Sequence, residues 1–189
     1  MISASQGPPN EPRPGAQQDS TPVQAFEPLA LLRGLTARNI EFIVIGGVAA
    51  RAHGSPSITV DLDICYERSP GNLDALAEAL RGIHASLRGA DPNLPFKIDR
   101  RTLLMGDHFT LLTDAGPLDC LGTPTGTGGF PDLDPHAVTF FIEGAPIKFA
   151  SLDDLIRMKQ AAGRPKDRIE LEILEALRQE LARRDEPTG

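Results

Sequence analysis

Residues Ile43–Ile64, IVIGGVAARAHGSPSITVDLDI, decide the fold. They read as a buried strand, a Gly46-Gly47 turn, a short helix from Val48 to His53, a Ser/Pro/Gly loop and a second strand carrying Asp61 and Asp63. A glycine turn that opens a helix offers free backbone N–H groups and the positive end of the helix dipole, which suits phosphate. Two carboxylates one residue apart on a strand share a face, which suits a divalent cation. Thirteen residues, Val48–Val60, separate the turn from the first aspartate. A phosphate cradle and a metal-holding pair so closely linked point to chemistry on a nucleoside triphosphate.

Working outward, the apolar spacing of Leu29, Leu31, Leu32 and Leu35 predicts a helix over Pro28–Arg38. ITVDLDICY alternates cleanly, with Ile58, Val60, Leu62, Ile64 and Tyr66 on one face and Thr59, Asp61, Asp63 and Cys65 on the other. Asp is depleted in strands, and a buried ionised carboxylate needs a partner, so this pair is poorly explained as packing. Ser69 caps a helix carrying Leu73, Leu76, Leu80 and Ile83. Pro92 and Pro95 keep residues 90–99 out of a helix. HFTLLTDAGPLDCLG predicts a hairpin turning at Thr113–Gly116, with Asp119 on its second strand. The Gly/Pro-rich run 123–135 is long enough for a substrate loop, and AVTFFIEGAPIKFA gives a second hairpin. Ser151 caps a helix ended by Gly163, and a last helix runs from Pro165 to Arg184. The expected architecture is α+β: a short mixed sheet backed by helices, with a C-terminal helical segment. Residues 1–24 lack the apolar groups that would offset ordering entropy and read as a disordered tail. A core at 25–150 and C-terminal helices at 151–189 complete the division.

A net charge of −7 excludes bulk attraction to polyanions and confines any nucleic-acid contact to a local basic patch. Cys65 and Cys120 show no metal-ligand spacing and fit a reducing cytosol. Neither a signal peptide nor a membrane-length apolar run is visible, so the expected location is cytoplasmic.

Asp119, flanked by Leu118 and Leu121, sharpens the reading of the opening stretch. A third carboxylate beside Asp61 and Asp63 is what a two-metal site requires. Downstream, Arg157–Arg168 holds five cations (Arg157, Lys159, Arg164, Lys166 and Arg168) against one acid, Asp167. Such a segment is either a contact for phosphate or a solvated helix end whose cations complement the dipole. His53 reads as a cap or packing residue, and His108 and His136 have no partner pattern.

Ile45-Gly46-Gly47 followed by Asp61-Leu62-Asp63-Ile64 resembles the signature of the nucleotidyltransferase superfamily that includes DNA polymerase beta and the minimal nucleotidyltransferases. GGVAARAHG, TVDLDI, LDCLG and SLDDLIRMKQAAGRPKD are together similar to the nucleotidyltransferase toxins of type IV abortive-infection systems, over residues 27–180. The resemblance implies that Gly46 and Gly47 approach the triphosphate and that Asp61 and Asp63 hold Mg²⁺ or Mn²⁺. It implies that Asp119 binds a second metal or takes the proton of the attacking hydroxyl, and that Lys159, with Arg164 and Lys166 nearby, meets the triphosphate. Many relatives carry an arginine shortly before the first aspartate, expected to contact the triphosphate, where this chain has Ser57; Arg51 is the candidate substitute. The activity implied is transfer of a nucleoside monophosphate from an NTP to an acceptor hydroxyl. As a toxin the acceptor would be RNA, tRNA foremost, with a cognate antitoxin as partner. The alternatives are a small-molecule, antibiotic-modifying transferase and a non-catalytic nucleotide- or partner-binding module.

Overall fold

The computed structural model describes residues 25–91, 96–165 and 167–185. The tail, the prolines Pro92 and Pro95, and Lys166 therefore lie outside the described residues. In chain order the elements are α1 (Pro28–Thr36), β1 (Phe42–Ile45), α2 (Gly46–Ala52), β2 (Leu62–Tyr66), α3 (Pro70–Gly82) and β3 (Ser86–Leu87). They continue with α4 (Arg100–Met105), β4 (His108–Thr113), β5 (Gly116–Leu121), α5 (Phe130–Leu133), β6 (Val138–Ile142), β7 (Ala145–Phe149), α6 (Leu152–Ala162) and α7 (Asp167–Asp185).

Among the described residues, seven strands form one mixed sheet in the order β3-β4-β5-β2-β1-β7-β6. Its centre is the opening stretch: β1 runs antiparallel to β2, β2 parallel to β5, and β1 parallel to β7. All four residues of β1 are buried, as expected of a strand covered on both faces. Leu62, Ile64 and Tyr66 of β2 are also fully buried, and Leu73, Leu76 and Leu80 of α3 join them. Each such side chain contributes roughly 1.5–3 kcal/mol relative to exposure. Leu155 and Ile156 of α6 and Leu174 of α7 belong to the same core.

Caps and turns follow the sequence signals. Ser69 and Ser151 accept from the backbone N–H groups of Asn72 and Asp154, and Gly163 ends α6 in the left-handed region. Both hairpins form, β4 with β5 and β6 with β7. Buried Asn72 ties the start of β1 to the exit of β2. Its Oδ1 accepts from the Glu41 N–H at 2.7 Å, and its Nδ2 donates to the Glu41 and Glu67 carbonyls at 3.0 and 2.7 Å.

Three features differ from expectation. First, β2 begins at Leu62, not Ile58, and Ile58 and Val60 are exposed. The alternation continues through them, but β1 ends at Ile45, opposite Asp63, and the pairing with β5 begins at Leu62. On the β1 side the ladder cannot continue, because the chain turns into α2 after Ile45, and the register with β5 starts only at Leu62 although β5 itself begins at Gly116. Second, α4 forms after the proline-containing loop, its first turn capped by Asp99, which accepts from the Thr102 N–H at 2.9 Å. Third, half of the Gly/Pro-rich run is anchored: Phe130 and Leu133 of α5 are buried, and α5 packs against β1. No described helix is long and apolar enough to cross a membrane.

Candidate active site

The site lies at the end of β1, where the chain turns into α2. Gly46 adopts φ +62°, and a Cβ there would run into the Asp63 carboxylate. A Cβ on Gly47 would stand 2.6 Å from the Thr59 side chain. The glycine pair thus lets the turn close down on the loop and strand that carry the aspartates. Among the described residues no side-chain cap is formed at the start of α2, which leaves its first N–H groups without a capping side chain at this turn.

The sheet register sets the carboxylates. Asp63 is aligned with Ile45 on one side and with Asp119 on the other. Asp61 lies just before β2, its Oδ1 accepting from the Thr59 hydroxyl at 3.1 Å. Burial, then the charges of Asp61 and Asp119, push the Asp63 carboxyl up to about 7, while Lys159 and Arg88 pull the other way. Asp119 is nearly buried. Arg88 Nη2 lies 3.3 Å from its Oδ1, and the Thr110 hydroxyl and His108 Nε2 lie 3.5 and 3.6 Å from its Oδ2. Around these groups opens a cavity of about 460 Å³, which also takes in Ser57, Ile58, Val60, Pro124, Thr125 and Met158.

Of the other expected site residues, Lys159 and Arg164 line the cavity. Lys159 Nζ donates to Asp167 Oδ1 at 3.1 Å and to Glu170. Burial opposes its charge, but these two carboxylates outweigh burial and raise the ammonium pKa. Arg164 Nε pairs with Asp167 Oδ2 at 3.4 Å. Arg51 donates to the Ser57 carbonyl at 3.0 Å and stands outside the cavity lining. Arg157 is held by Asp132 and Asp154, both at 2.7 Å. The basic run that stands out along the sequence is thereby largely neutralised in space, because Asp132, Asp154, Asp167 and Glu170 fold onto it.

His108, Arg88 and Glu170 line the cavity without being singled out by the sequence. His108 carried a usable signal: it stands two residues before Thr110, which pairs with Asp119, so all three share a face. Arg88 carried none, because it follows a two-residue strand that only the folded sheet defines. His53 behaves as a packing residue, its Nε2 at 2.8 Å from the Ala150 carbonyl and its ring against Phe140.

Among the described residues no group of three carboxylate, histidine or cysteine side chains forms a ready-made metal site. The donor chemistry nevertheless fits a hard divalent cation: three carboxylates supply oxygen, and the ionised form of Asp63 is opposed by its two acidic neighbours.

The structure is similar to that of the lincosamide antibiotic adenylyltransferase LnuA in its lincomycin-bound form. The TM-score is 0.55 at 12% identity, over 82% of this chain and 99% of that one. It is also similar to a putative nucleotidyltransferase, TM1012, from Thermotoga maritima, with a TM-score of 0.51 at 16% identity over 85% and 97% of the two chains. The fold is that of the nucleotidyltransferases. No protein-family model matches the sequence, and no curated protein does. On this nucleotidyltransferase fold the glycine turn and the three aspartates stand at one end of the central strands, where the cavity opens.

Proposed function

We propose that the protein is a metal-dependent nucleotidyltransferase that moves a nucleoside monophosphate from an NTP to the hydroxyl of a small-molecule acceptor. The observation that carries this reading is the alignment of Asp63 with Asp119 across two parallel strands, beside a glycine turn that admits no side chain.

In this reading the turn at Gly46 and Gly47 receives the triphosphate on its free N–H groups. Asp61 and Asp63 would hold Mg²⁺ or Mn²⁺, with Asp119 left for the acceptor hydroxyl. A bound cation would supply positive charge to offset that of the triphosphate. Asp119 takes the proton of the acceptor hydroxyl as its oxygen bonds to the α-phosphorus and the bond to the β-phosphate breaks. Lys159 leaves Glu170 for the triphosphate, with Arg164 and Lys166 as further cations. Rate then comes from positioning and charge neutralisation.

The cavity of about 460 Å³ has the size of a small-ligand site and takes in both the glycine turn and the Asp119 side. The internal pairing of Arg157, Lys159 and Arg164 leaves fewer free cations for an RNA backbone, as does the net charge of −7. Incubation with Mg²⁺, each labelled NTP, and either total tRNA or a pool of aminoglycosides and lincosamides tests the reading. Label on a small molecule supports it. Label on tRNA replaces it with the toxin reading, for which a cognate antitoxin is the expected partner. Label on neither, with Asp61→Ala and Asp63→Ala leaving nucleotide affinity unchanged, removes the catalytic proposal.

A further inference from the structure

We propose that Arg88 is a positioning residue for the transfer, aiming the Asp119 carboxylate at the acceptor hydroxyl. The inference rests on the nucleotidyl-transfer reading and adds to it a residue from the opposite end of the sheet.

The sheet register makes the case. β3 pairs with β4 through Ser86–Leu112 and Leu87–Leu111, so the next residue, Arg88, comes opposite Thr110. Its backbone N–H donates to the Thr110 carbonyl at 2.9 Å, which continues the ladder by one step. Thr110 pairs with Asp119, Asp119 with Asp63, and Asp63 with Ile45, immediately before Gly46. Arg88 is thus the outer end of a row that crosses five strands and terminates at the glycine turn. Immediately after it the chain turns away at Gly89, with φ +75°. A strand of only two residues adds little to the sheet, but it delivers this guanidinium to the row.

The side chain completes the argument. Arg88 Nη2 stands 3.3 Å from Asp119 Oδ1, leaving Oδ2 to the Thr110 hydroxyl at 3.5 Å and to His108. With Oδ1 held by the Arg88 guanidinium and Oδ2 facing the Thr110 hydroxyl and the His108 ring, the carboxylate has a defined orientation, which a group that must meet an incoming hydroxyl requires. Among the described residues, Asp119 is the partner in Arg88's ion pair, whereas Lys159 and Arg164 are engaged by Asp167. Arg88 therefore serves the acceptor side of the cavity, and the cations beside α6 serve the triphosphate.

The test uses the full chain with Mg²⁺ and ATP, water standing in as acceptor and pyrophosphate release as the readout. An α,β-methylene ATP analogue reports nucleotide affinity, and crystal structures of wild type and Arg88→Ala report the Asp119 carboxylate. Arg88→Ala should lower turnover about 10- to 100-fold. Analogue affinity should stay within about twofold, the melting temperature should be near wild type, and the Asp119 side chain should be rotated. Arg88→Lys, which keeps the charge without the planar fork, should recover part of the loss. Turnover within about twofold of wild type overturns the proposal, and so does a tenfold loss of analogue affinity, which would make Arg88 a phosphate ligand. If wild type binds the analogue but, with the acceptor pool added, releases no more pyrophosphate than Asp63→Ala, the transfer reading itself fails. The crystal structures then decide the matter for Arg88, an unmoved Asp119 overturning it.

Discussion

Asp63→Asn should stabilise the metal-free protein while abolishing its activity, and the size of the effect follows from the carboxyl's surroundings. Burial and the charges of Asp61 and Asp119 raise the Asp63 carboxyl from 3.8 to about 7. Between these values the unfolded chain has lost the proton and the folded chain retains it, so stability falls as pH rises through that window. Above pH 7 the full penalty applies, roughly 4 kcal/mol at 1.36 kcal/mol per pH unit. At pH 5 it is less than half as large. Asparagine has the same shape without the charge and removes the penalty. For a domain of this size each kcal/mol moves the melting temperature by roughly 2–4 °C, so the variant should melt on the order of 10 °C above wild type at pH 8. The gap should narrow steadily toward pH 5. Thermal denaturation in EDTA at low salt across this pH range measures it. Added Mg²⁺ should then raise wild type toward the variant and leave the variant nearly unmoved. A variant no more stable than wild type at pH 8, or a gap that does not change with pH, would refute the reasoning.

Other expectations follow from the same geometry. Glu170→Gln frees Lys159 from a competing carboxylate, so nucleotide affinity measured by calorimetry should rise several-fold, whereas Lys159→Ala should lower it about tenfold. Gly46→Ala forces a Cβ against Asp63 at a positive φ; nucleotide binding should be lost, and denaturant titration should show a loss of about 1–3 kcal/mol. Asn72→Ala leaves the Glu41 N–H and two carbonyls without their partner, and a loss of roughly 2–4 kcal/mol in the same titration is expected, with the active-site charges untouched.

The parts of the fold that were legible in the sequence are those encoded within a few residues. The glycine turn, the Ser69 and Ser151 caps, the Gly163 stop and both hairpins each rest on local chemistry, and each forms. The two-residue period of β2 also identified Leu62, Ile64 and Tyr66 as one buried face. It overran to Ile58 because alternation says nothing about where a partner strand ends. The proximity of Asp63 and Asp119 was open to inference once each was placed on a strand, but their direct alignment depends on β5 lying parallel to β2. Arg88 depends on a still longer chain of pairings. The basic run misled in the opposite sense. Charge counted along Arg157–Arg168 omits Asp132, which arrives from the preceding loop, and Glu170, one turn into α7. Long-range neutralisation of this kind has no signature in a window of sequence.

The central claim is transfer of the α-phosphoryl group with its nucleoside, and isotope position tests it most directly. Parallel reactions with α-phosphate-labelled and γ-phosphate-labelled NTP, in Mg²⁺ and the acceptor pool, should place the α label on the acceptor and the γ label in pyrophosphate. Both should be absent with Asp63→Asn. Transfer of the γ label to the acceptor, or release of inorganic phosphate without pyrophosphate, would contradict the account.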